Sequence, residues 1–527
     1  MPTASSRRTV TSSQVERTAI PSGRRPRPIS RAAAAPTSVA TSTAAAVRAP
    51  SATAVRVIPT RASTTSQSAG AVCRSTGSGG AGVTPGDYRD RVPADRDLAS
   101  DDPPDDVTHD PGGPLRSIVV VGGGLAGSQV VHALRDHGFD GHVTLVGAEE
   151  IDPYDRPPLS KELFTRTEPA WLGAELGIDL DRADDVRLGV AATGLRLGPC
   201  GVTIRTTTGA VTADAAVLAT GAHAVRPTGW ETALTLHTVT DAARLRAALT
   251  PGSRLVIVGA GWIGAEVAGV ATRAGVEVTV VEAAPAPSAT ALGVPVGSLT
   301  IPWYATSGVR LLTGTGVVRA AAGQVELADG QVLDADVVLA AIGARPSSAW
   351  IGDALPVAAD GSIAVDGGYR VPGTRGRVVA VGDLARRRSA RHGWVPGGHW
   401  DGALRGPAVA VRALLGTAGD GPPDDVAPYV FSTQLGHELA MVGAPGAGDD
   451  VVLRGAVSAD FTALWFTAGT DELTAVLAVD RPRDVGAARR LFTAPALPHL
   501  DRAAAADPAR PLREAALGVS GRSGGYR

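Results

Sequence analysis

The chain contains two copies of one pattern, in which an apolar run, a glycine-rich turn, an amphipathic stretch and a second apolar run follow one another. The first copy spans residues 117–147 with its turn at residues 122–127, and the second spans residues 254–282 with its turn at residues 259–264. Continuous apolar strands that alternate with helices predict a parallel sheet covered on both faces. Two separated copies therefore predict two such α/β domains within one chain.

Both turns have the spacing GxGxxG, in which each glycine has a separate physical role. The first makes a tight turn, the second lets a pyrophosphate approach the backbone, and the third lets helix and strand pack closely. The N-terminus of the helix that follows offers unsatisfied N–H groups to the phosphates. A carboxylate at the end of the next strand accepts hydrogen bonds from ribose hydroxyls. We therefore predict two Rossmann-like dinucleotide-binding sites, formed by Gly122, Gly124, Leu125, Ala126, Gly127 and Glu149 and by Gly259, Gly261, Ile263, Gly264 and Glu282.

The second site is predicted to bind NADH rather than NADPH. The Glu282 carboxylate accepts from a 2′-hydroxyl and repels a 2′-phosphate, and residues 283–288 contain no arginine that would neutralise that phosphate. An arginine supplied from elsewhere in the chain is the alternative. Two dinucleotide sites in one chain indicate that the other holds a flavin, FAD, and that hydride passes between the two, because no protein side chain carries out that chemistry.

Composition excludes several other classes of function. A net charge of −2 gives no overall attraction to nucleic acid or to an anionic membrane. Two cysteines, Cys73 and Cys200, are too few for a disulfide-stapled fold or a four-cysteine metal site. No apolar run reaches the length of about 18 residues that a membrane span needs. We expect a cytoplasmic protein without a bound metal.

The ends of the chain differ from its middle. The first 86 residues contain eleven arginines and a single acid, Glu16, and residues 1–114 lack the apolar periodicity that a folded core requires, so we predict a disordered tail. A start assigned upstream of the native one, near Val107, is the origin we favour; a transit peptide and a disordered segment without a targeting role are the alternatives. The rest is predicted to form an FAD domain at 115–232 and 351–427, an NAD domain at 233–350, a C-terminal α+β domain at 428–517 and a flexible tail at 518–527.

Several further segments give the chain a specific resemblance. They are Tyr154-Asp-Arg-Pro-Pro-Leu-Ser-Lys161, Ala219-Thr-Gly221, Gly259-Ala-Gly-Trp-Ile-Gly-Ala-Glu266, Ala341-Ile-Gly-Ala-Arg-Pro346, Ala380-Val-Gly-Asp383 and Arg481-Pro-Arg-Asp484. In this order, residues 115–515 resemble the FAD-dependent NADH–ferredoxin reductases, a family that includes putidaredoxin and rubredoxin reductases. These belong to the pyridine nucleotide-disulfide oxidoreductase superfamily but lack its redox disulfide. The resemblance implies that electrons pass singly from FAD to a ferredoxin-type iron–sulfur protein, or to a rubredoxin, that serves an oxygenase.

The resemblance also implies roles for individual residues. It makes Lys161, the one lysine among 50 lysines and arginines, a catalytic residue beside the flavin, paired with Glu266; a surface ion pair is the alternative. It makes Asp383 a ligand of the flavin ribityl chain, or a helix N-cap, with the following helix aimed at the flavin pyrimidine ring. The other implied cofactor contacts are Arg156, Ala192, Thr220, Gly221, Gly343, Trp400 and Phe431.

At several positions the chain departs from the family pattern. His237 replaces an arginine that contacts the flavin phosphates, and a mostly uncharged histidine would contact them more weakly. Gly398 replaces a glutamate and Gly402 an asparagine, while residues 430–434, Val-Phe-Ser-Thr-Gln, replace a frequent Phe-Trp-Ser-Asp-Gln, so that Thr433 removes an acid. These departures are expected to change the flavin potential or the choice of partner rather than the fold.

Two questions stay open from the sequence alone. The cluster Arg386, Arg387, Arg388 and Arg391 is either a docking patch for an acidic ferredoxin or a solvated loop in an arginine-rich chain. The function is alternatively that of an NADH oxidase or peroxidase, against which the missing active-site cysteine counts. A redox-sensing flavoprotein, in which NADH binding changes association with partners, is the remaining alternative.

Overall fold

The computed structural model describes residues 114–417 and 424–517. The predicted tails at 1–114 and 518–527, together with Cys73, lie outside this part of the chain, apart from residue 114. Within the described residues, no helix is both long enough and apolar enough to cross a membrane. The same residues contain no group of three or more His, Cys, Asp or Glu side chains placed to hold a metal ion.

The first glycine turn lies in a parallel sheet. The elements of this region are β1 (Ser117–Val121), α1 (Leu125–Asp136), β2 (His142–Val146), α2 (Pro158–Lys161), α3 (Leu172–Leu176), β3 (Asp185–Arg187), β4 (Ala192–Gly198), β5 (Gly201–Thr206), β6 (Gly209–Ala213), β7 (Ala215–Leu218) and β8 (Ala222–Ala224). The order β7–β1–β2–β3 places β1 inside the sheet, and β4–β5–β6 form a separate antiparallel sheet. Residues 118–121 are at most 1% exposed, which explains their unbroken apolar run.

The second glycine turn lies in a second parallel sheet. The elements of this region are α4 (Val239–Ala248), β9 (Arg254–Val258), α5 (Trp262–Arg273), β10 (Glu277–Glu282), α6 (Ala289–Ser298), α7 (Ile301–Thr306), β11 (Arg310–Thr313), β12 (Val317–Ala321), β13 (Gln324–Leu327), β14 (Val332–Asp334) and β15 (Val337–Ala340). The strand order is β11–β10–β9–β15. The two predicted strand–turn–helix–strand units are therefore present, each with its own sheet.

After the second sheet the chain returns to the first. The elements that follow are β16 (Ala344–Pro346), β17 (Ile363–Val365), β18 (Val378–Ala380), β19 (Ala385–Ser389), β20 (Gly393–Val395) and α8 (Trp400–Leu414). Strand β16 pairs antiparallel with β8, so the outgoing and returning connections form a two-stranded ribbon. Strand β18 then pairs with β7 and completes the first sheet as its fifth strand.

The last described region is an antiparallel sheet with helices. Its elements are β21 (Tyr429–Gln434), β22 (His437–Gly443), β23 (Asp450–Gly455), β24 (Phe461–Phe466), β25 (Leu473–Val479), α9 (Pro482–Leu491) and α10 (Arg502–Ala506), with strand order β21–β22–β25–β24–β23. The motif that ends in Asp484 is structural here. Burial alone would raise the pKa of Asp484, but hydrogen bonds from Arg454, Arg481 and Thr462 hold it below its usual value.

Helix α5 joins the second parallel sheet to this C-terminal sheet. A Cβ added at Gly269 would lie 3.0 Å from the backbone nitrogen of Leu435, so the missing side chain lets the helix approach the end of β21. Nearby, the Ser307 hydroxyl donates to the Leu435 carbonyl at 3.2 Å, and Trp303 stacks on His437 with ring centres 4.2 Å apart. The second nucleotide unit and the C-terminal sheet are therefore packed directly against one another.

Candidate functional site

The first and third glycines of each turn have the backbone roles expected of them. Gly122 has a φ of +124°, and a Cβ on Gly127 would lie 1.8 Å from the Gly122 carbonyl oxygen. Gly259 has a φ of +103°, and a Cβ on Gly264 would lie 2.1 Å from the Gly259 oxygen. A side chain at Gly127 or Gly264 would force the helix away from its strand, and one at Gly122 or Gly259 would meet the Ala219 or Ala341 carbonyl oxygen, at 2.1 and 2.4 Å.

The middle glycines have a different reason to lack a side chain. Gly124 and Gly261 are the N-cap residues of α1 and α5, and no side chain caps either helix. A Cβ added at either position would meet no protein atom within 4 Å. It would instead fill the cradle in front of the helix N-terminus, where a pyrophosphate can accept from backbone N–H groups. Both turns therefore fit a dinucleotide, with Leu125, Ala126 and Ile263 in the first turn of each helix.

The two carboxylates predicted to bind ribose lie beside these turns. Glu282 accepts from the Ala260 N–H at 2.7 Å and from the Ala284 N–H at 2.8 Å, so it also holds the second glycine turn. Glu149 accepts from the Tyr154 hydroxyl at 2.6 Å and from Arg156 at 2.7 Å. A carboxylate has about four acceptor positions, so both can also accept from ribose hydroxyls; that contact stays a prediction.

Arg156 lies at the centre of the first site. Its guanidinium donates to the His237 carbonyl oxygen at 2.5 Å and to the Tyr154 hydroxyl at 3.2 Å, besides its ion pair with Glu149. Burial, together with the nearby Arg156 charge, lowers the pKa of His237. The imidazole that replaces the family arginine is therefore neutral near pH 7, and Arg156 supplies the positive charge in this region.

The predicted ion pair between Lys161 of the first nucleotide unit and Glu266 of the second is present. Lys161 Nζ lies 2.5 Å from Glu266 Oε1, and the side chains of the two residues are 19% and 4% exposed. A carboxylate this deeply buried excludes the surface ion pair that the sequence left as the alternative. Lys161 ends α2 in the first unit, whereas Glu266 lies on α5 of the second. The catalytic role of the pair stays a prediction.

Three residues that the sequence analysis did not single out complete the surroundings of Glu266. Ser160 donates to its Oε2 at 2.5 Å, and Ser432 donates to its Oε1 at 2.5 Å. The Gln434 amide in turn donates to the Ser432 hydroxyl at 3.1 Å. The sequence contained a signal for two of them. Ser432 and Gln434 are polar residues two apart in a strand, so they share a face, and polar residues on a buried face indicate a buried polar partner.

Aromatic side chains form one wall next to Lys161. The Lys161 ammonium lies 5.3 Å from the centre of the Phe431 ring, and Trp400 meets that ring edge-on at 5.9 Å. The Trp400 indole N–H donates to Asp155 at 2.7 Å, and burial raises the pKa of Asp155. Both predicted aromatic contacts are thus beside the Lys161–Glu266 pair, whereas Asp155 was missed by the sequence analysis.

The α-helix that follows Asp383 is α8, and its predicted aim at the flavin pyrimidine ring stays a prediction. Asp383 lies in a single 3₁₀ turn, Gly382–Leu384, which leads into strand β19. Asp383 caps neither this turn nor α8, which begins only at Trp400. Its carboxylate accepts from the Gly398 N–H at 3.1 Å, so the start of α8 does return to Asp383 after the β19–β20 hairpin. The contact between Asp383 and a ribityl chain stays a prediction.

One of the departures from the family pattern has a local explanation. Gly398 has a φ of +95°, a conformation that favours glycine over the glutamate of the family. Thr433 donates to Glu438 at 3.1 Å, so its hydroxyl is engaged at the surface. Nothing in the structure explains Gly402, because a Cβ there would meet only His399, at 4.0 Å.

The predicted exit turns lie at the two-stranded ribbon. The Thr220 hydroxyl donates to the Ser347 carbonyl at 2.8 Å, and the Ser347 N–H donates to the Gly221 carbonyl at 2.9 Å. The Gly343 carbonyl accepts from the Val225 N–H at 2.9 Å. Ala192, at the start of β4, pairs with Thr206. The cofactor contacts predicted for these residues stay predictions.

The arginine cluster is not a docking patch as a whole. The side chains of Arg387 and Arg391 are 6% and 5% exposed and form ion pairs with Asp425. Arg391 also donates to backbone carbonyls of the C-terminal region, at Phe492 and Ala494. Arg391 therefore joins the β19–β20 hairpin to the C-terminal region, whereas Arg387 joins the hairpin to the segment around Asp425 that precedes it. Arg386 and Arg388 lie over the ring of Trp394, at 4.8 and 5.5 Å.

Two family models match the chain, one over the two nucleotide units and one over the C-terminal sheet. Residues 116–403 match the family model described as pyridine nucleotide-disulphide oxidoreductase, and residues 429–516 match that described as reductase C-terminal. The ferredoxin reductase component of chlorobenzene dioxygenase from Cupriavidus sp. (strain PS12) is 34% identical over 396 residues, which cover 72% of this chain and 92% of the relative.

Further relatives and solved structures agree. The ferredoxin–NAD(+) reductase component of the anthranilate 1,2-dioxygenase system from Burkholderia cepacia is 34% identical and covers 72% of this chain and 95% of its own length. A crystal structure of Fdr9 is 40% identical, with a TM-score of 0.68 over 75% of this chain and 99% of the other. A covalent putidaredoxin reductase–putidaredoxin complex is 28% identical, with a TM-score of 0.69 over 76% of this chain and 98% of the other.

Proposed function

The chain belongs to the pyridine nucleotide-disulphide oxidoreductase family, and from this premise we propose that it is an FAD-dependent NADH–ferredoxin reductase. It takes hydride from NADH and passes single electrons to a ferredoxin-type iron–sulfur protein that serves an oxygenase. The observation that carries this proposal is the buried pair of Lys161 and Glu266, which brings the two glycine-turn units together at one point. Relatives named as reductase components of dioxygenase systems support the choice of partner.

The residues of the chain act mainly by placing the two cofactors. The N-terminus of α1 behind Gly124, with Glu149 and Arg156, would hold FAD; the N-terminus of α5 behind Gly261, with Glu282, would hold NADH. When bound, the flavin supplies two-electron uptake and one-electron release. The Lys161 ammonium, next to the Phe431 ring, would stabilise negative charge on a reduced cofactor bound there. The remaining contribution of the chain to the rate is to hold the two cofactors in a reactive geometry.

An oxidase or peroxidase that relays electrons through a cysteine is disfavoured. Within the described residues the one cysteine is Cys200, which is exposed at the turn between β4 and β5. The stretch that ends in Lys161 contains no cysteine, so no thiol there receives the electrons. Electrons from the flavin therefore go directly to an external acceptor.

Anaerobic titration of the purified yellow protein with NADH tests the proposal. We expect NADH to bleach the flavin, and a ferredoxin encoded in the same genome then to reoxidise it much faster than oxygen does. A rubredoxin and an artificial one-electron acceptor serve as comparison acceptors. If NADH reduces the flavin but oxygen reoxidises it faster than any of these acceptors, the reductase assignment fails and the oxidase assignment replaces it.

We also propose the location and domain boundaries of this enzyme. It acts in the cytoplasm, where its NADH is supplied. Its FAD domain comprises 115–232 and 351–427, with the NAD domain at 233–350 inserted and the reductase domain at 428–517. The ribbon of β8 and β16 near the edges of the insertion supports these boundaries. Limited proteolysis that releases an NADH-binding fragment with other ends would contradict them.

A further inference from the structure

We propose that Ser432, supported by Gln434, is a positioning residue for the Lys161–Glu266 pair, and that it thereby makes hydride transfer depend on the C-terminal domain. The inference rests on the proposed function for its effect on catalysis but not for its effect on Lys161 itself. It assigns a role in the reaction to two buried residues of β21.

The need for Ser432 follows from the burial of Glu266. A carboxylate that is 4% exposed has lost its water, and one ammonium partner satisfies only part of its acceptor capacity. A buried ion pair is stable only when further hydrogen bonds satisfy the remaining lone pairs. Ser160 supplies one on Oε2, and Ser432 supplies the other on Oε1, the oxygen that Lys161 also uses.

Gln434 fixes the direction of the Ser432 hydroxyl. Its side-chain amide donates to Ser432 Oγ at 3.1 Å. With that lone pair occupied, the hydroxyl proton points to Glu266, 2.5 Å away. Ser432 and Gln434 are 1% and 4% exposed, so water does not compete for these contacts. The order of donation is Gln434 to Ser432, Ser432 to Glu266, and Lys161 to Glu266.

The Glu266 carboxylate thus accepts hydrogen bonds from donors in different parts of the molecule. Lys161 and Ser160 end α2 in the first unit, Glu266 lies on α5 of the second, and Ser432 lies on β21 of the C-terminal sheet. The neighbour of Ser432 along β21 is Phe431, whose ring faces the Lys161 ammonium at 5.3 Å. A shift of β21 would therefore move the carboxylate's donor and the aromatic wall together, and Lys161 with them.

The single lysine of the chain makes a direct test possible. Protein grown on lysine carrying carbon-13 at Cε gives one side-chain signal, that of Lys161, because the sequence contains no other lysine. In Ser432→Ala we expect this signal to shift, because the ammonium loses its fixed carboxylate partner geometry. At saturating NADH, flavin reduction should slow about tenfold, which corresponds to losing one hydrogen bond to a charged group, while the Kd for NADH stays within about twofold.

Matched variants separate positioning from a general loss of packing. Ser362→Ala also removes a buried serine that donates to a carboxylate, here Asp360 at 2.6 Å, and should leave both the lysine signal and the reduction rate unchanged. Ser432→Thr keeps a hydroxyl and should restore most of the rate. Gln434→Leu removes the donor behind Ser432 and should shift the lysine signal in the same direction as Ser432→Ala, which keeps the test available if that variant does not fold.

The outcomes distinguish this inference from the proposed function. If wild-type flavin is not reduced by NADH, the proposed function fails, whereas a lysine signal that moves in Ser432→Ala and Gln434→Leu still supports the positioning role. If wild type is reduced by NADH but neither variant moves the lysine signal or slows reduction, the positioning role is overturned. A slowdown in Ser362→Ala equal to that in Ser432→Ala would overturn it as well.

Discussion

Lys161 is the residue at which the two nucleotide units meet, and its surroundings explain why it stays lysine in a chain whose other basic residues are arginine. Its ammonium lies between the buried Glu266 carboxylate at 2.5 Å and the Phe431 ring at 5.3 Å. A compact ammonium fits such a gap, whereas a planar guanidinium is wider and carries its donors in a rigid fork. Arginine bias in the composition cannot account for this position.

We predict that Lys161→Arg slows flavin reduction by NADH at least about tenfold without unfolding the protein. The guanidinium keeps the charge but cannot keep both contacts, so the loss falls on transition-state placement rather than on stability. Stopped-flow reduction under anaerobic conditions measures the rate, and thermal unfolding checks the fold. The exposed swap Arg244→Lys on α4 is the matched control. Reduction at the wild-type rate in Lys161→Arg would mean that the lone lysine has no catalytic requirement.

A second residue-scale prediction concerns the choice of nicotinamide. Glu282→Gln removes the negative charge that repels a 2′-phosphate but keeps an oxygen for the Ala260 or Ala284 N–H. The ratio of kcat/KM for NADH over NADPH should fall about tenfold, which corresponds to about 1.4 kcal/mol. Steady-state turnover with each nucleotide measures the ratio. Equal use of both nucleotides by wild type would contradict the prediction from the outset.

At the scale of elements, the two glycine turns make a matched comparison possible. A Cβ at Gly261 meets no protein atom within 4 Å, whereas a Cβ at Gly264 would lie 2.1 Å from the Gly259 carbonyl. Gly261→Ala should therefore keep the yellow colour and the melting temperature but weaken NADH binding at least about tenfold, because only a bound phosphate needs that space. Gly264→Ala should also lower the melting temperature, since it forces α5 away from β9.

Fluorescence or absorbance titration with NADH and thermal unfolding measure the two effects. Equal destabilisation by both substitutions would show that the middle glycine has a packing role rather than a binding role. The flavin serves as an internal reference, because the first turn is untouched and FAD should remain bound in both variants.

The sequence predicted these elements because their signals are local. An apolar run, a GxGxxG turn and a helix follow one another within about 30 residues, and steric rules alone require the glycines. It failed where partners are distant in the chain. The sequence left Arg387 and Arg391 as either a docking patch or a solvated loop, yet both side chains are buried in ion pairs with Asp425, which lies more than 30 residues away. The helix that follows Asp383 begins only at Trp400, because residues 385–389 first pair with β17 and β20, which no local propensity records.

The same distinction holds for the site. Lys161 and Glu266 were predicted as a pair through the family resemblance, but their separation of 105 residues in the chain gives no local signal for it. Ser432 was passed over because a lone serine in a strand is ordinary; only the fold shows that its hydroxyl reaches a buried carboxylate 166 residues away. Buried polar contacts of this kind depend on how domains pack, so they are the last features that a sequence discloses.

At the scale of the whole molecule, half-buried histidines make the stability of the folded enzyme sensitive to acid. Burial, reinforced by the Arg391 charge, lowers the pKa of His392 from 6.5 to about 4, and burial also lowers the pKa values of His237 and His399. Between pH 4 and 6.5 these histidines bind protons in the unfolded chain but not in the folded one. Their contribution to stability is therefore fully present above about pH 6.5 and is lost as the pH falls towards 4.

Burial raises the pKa values of Asp155 and Asp401, which makes the folded enzyme more stable, relative to the unfolded chain, as the pH falls. The total pH dependence of stability therefore mixes opposite effects, and a substitution of one histidine is the proper test. His392→Phe should remove up to about 3 kcal/mol of the difference in unfolding free energy between pH 7.5 and pH 4, because a tenfold change in proton affinity on folding corresponds to about 1.4 kcal/mol. Urea unfolding of holoenzyme at the two pH values measures it. An undiminished difference in His392→Phe would mean that His392 is protonated in the folded enzyme.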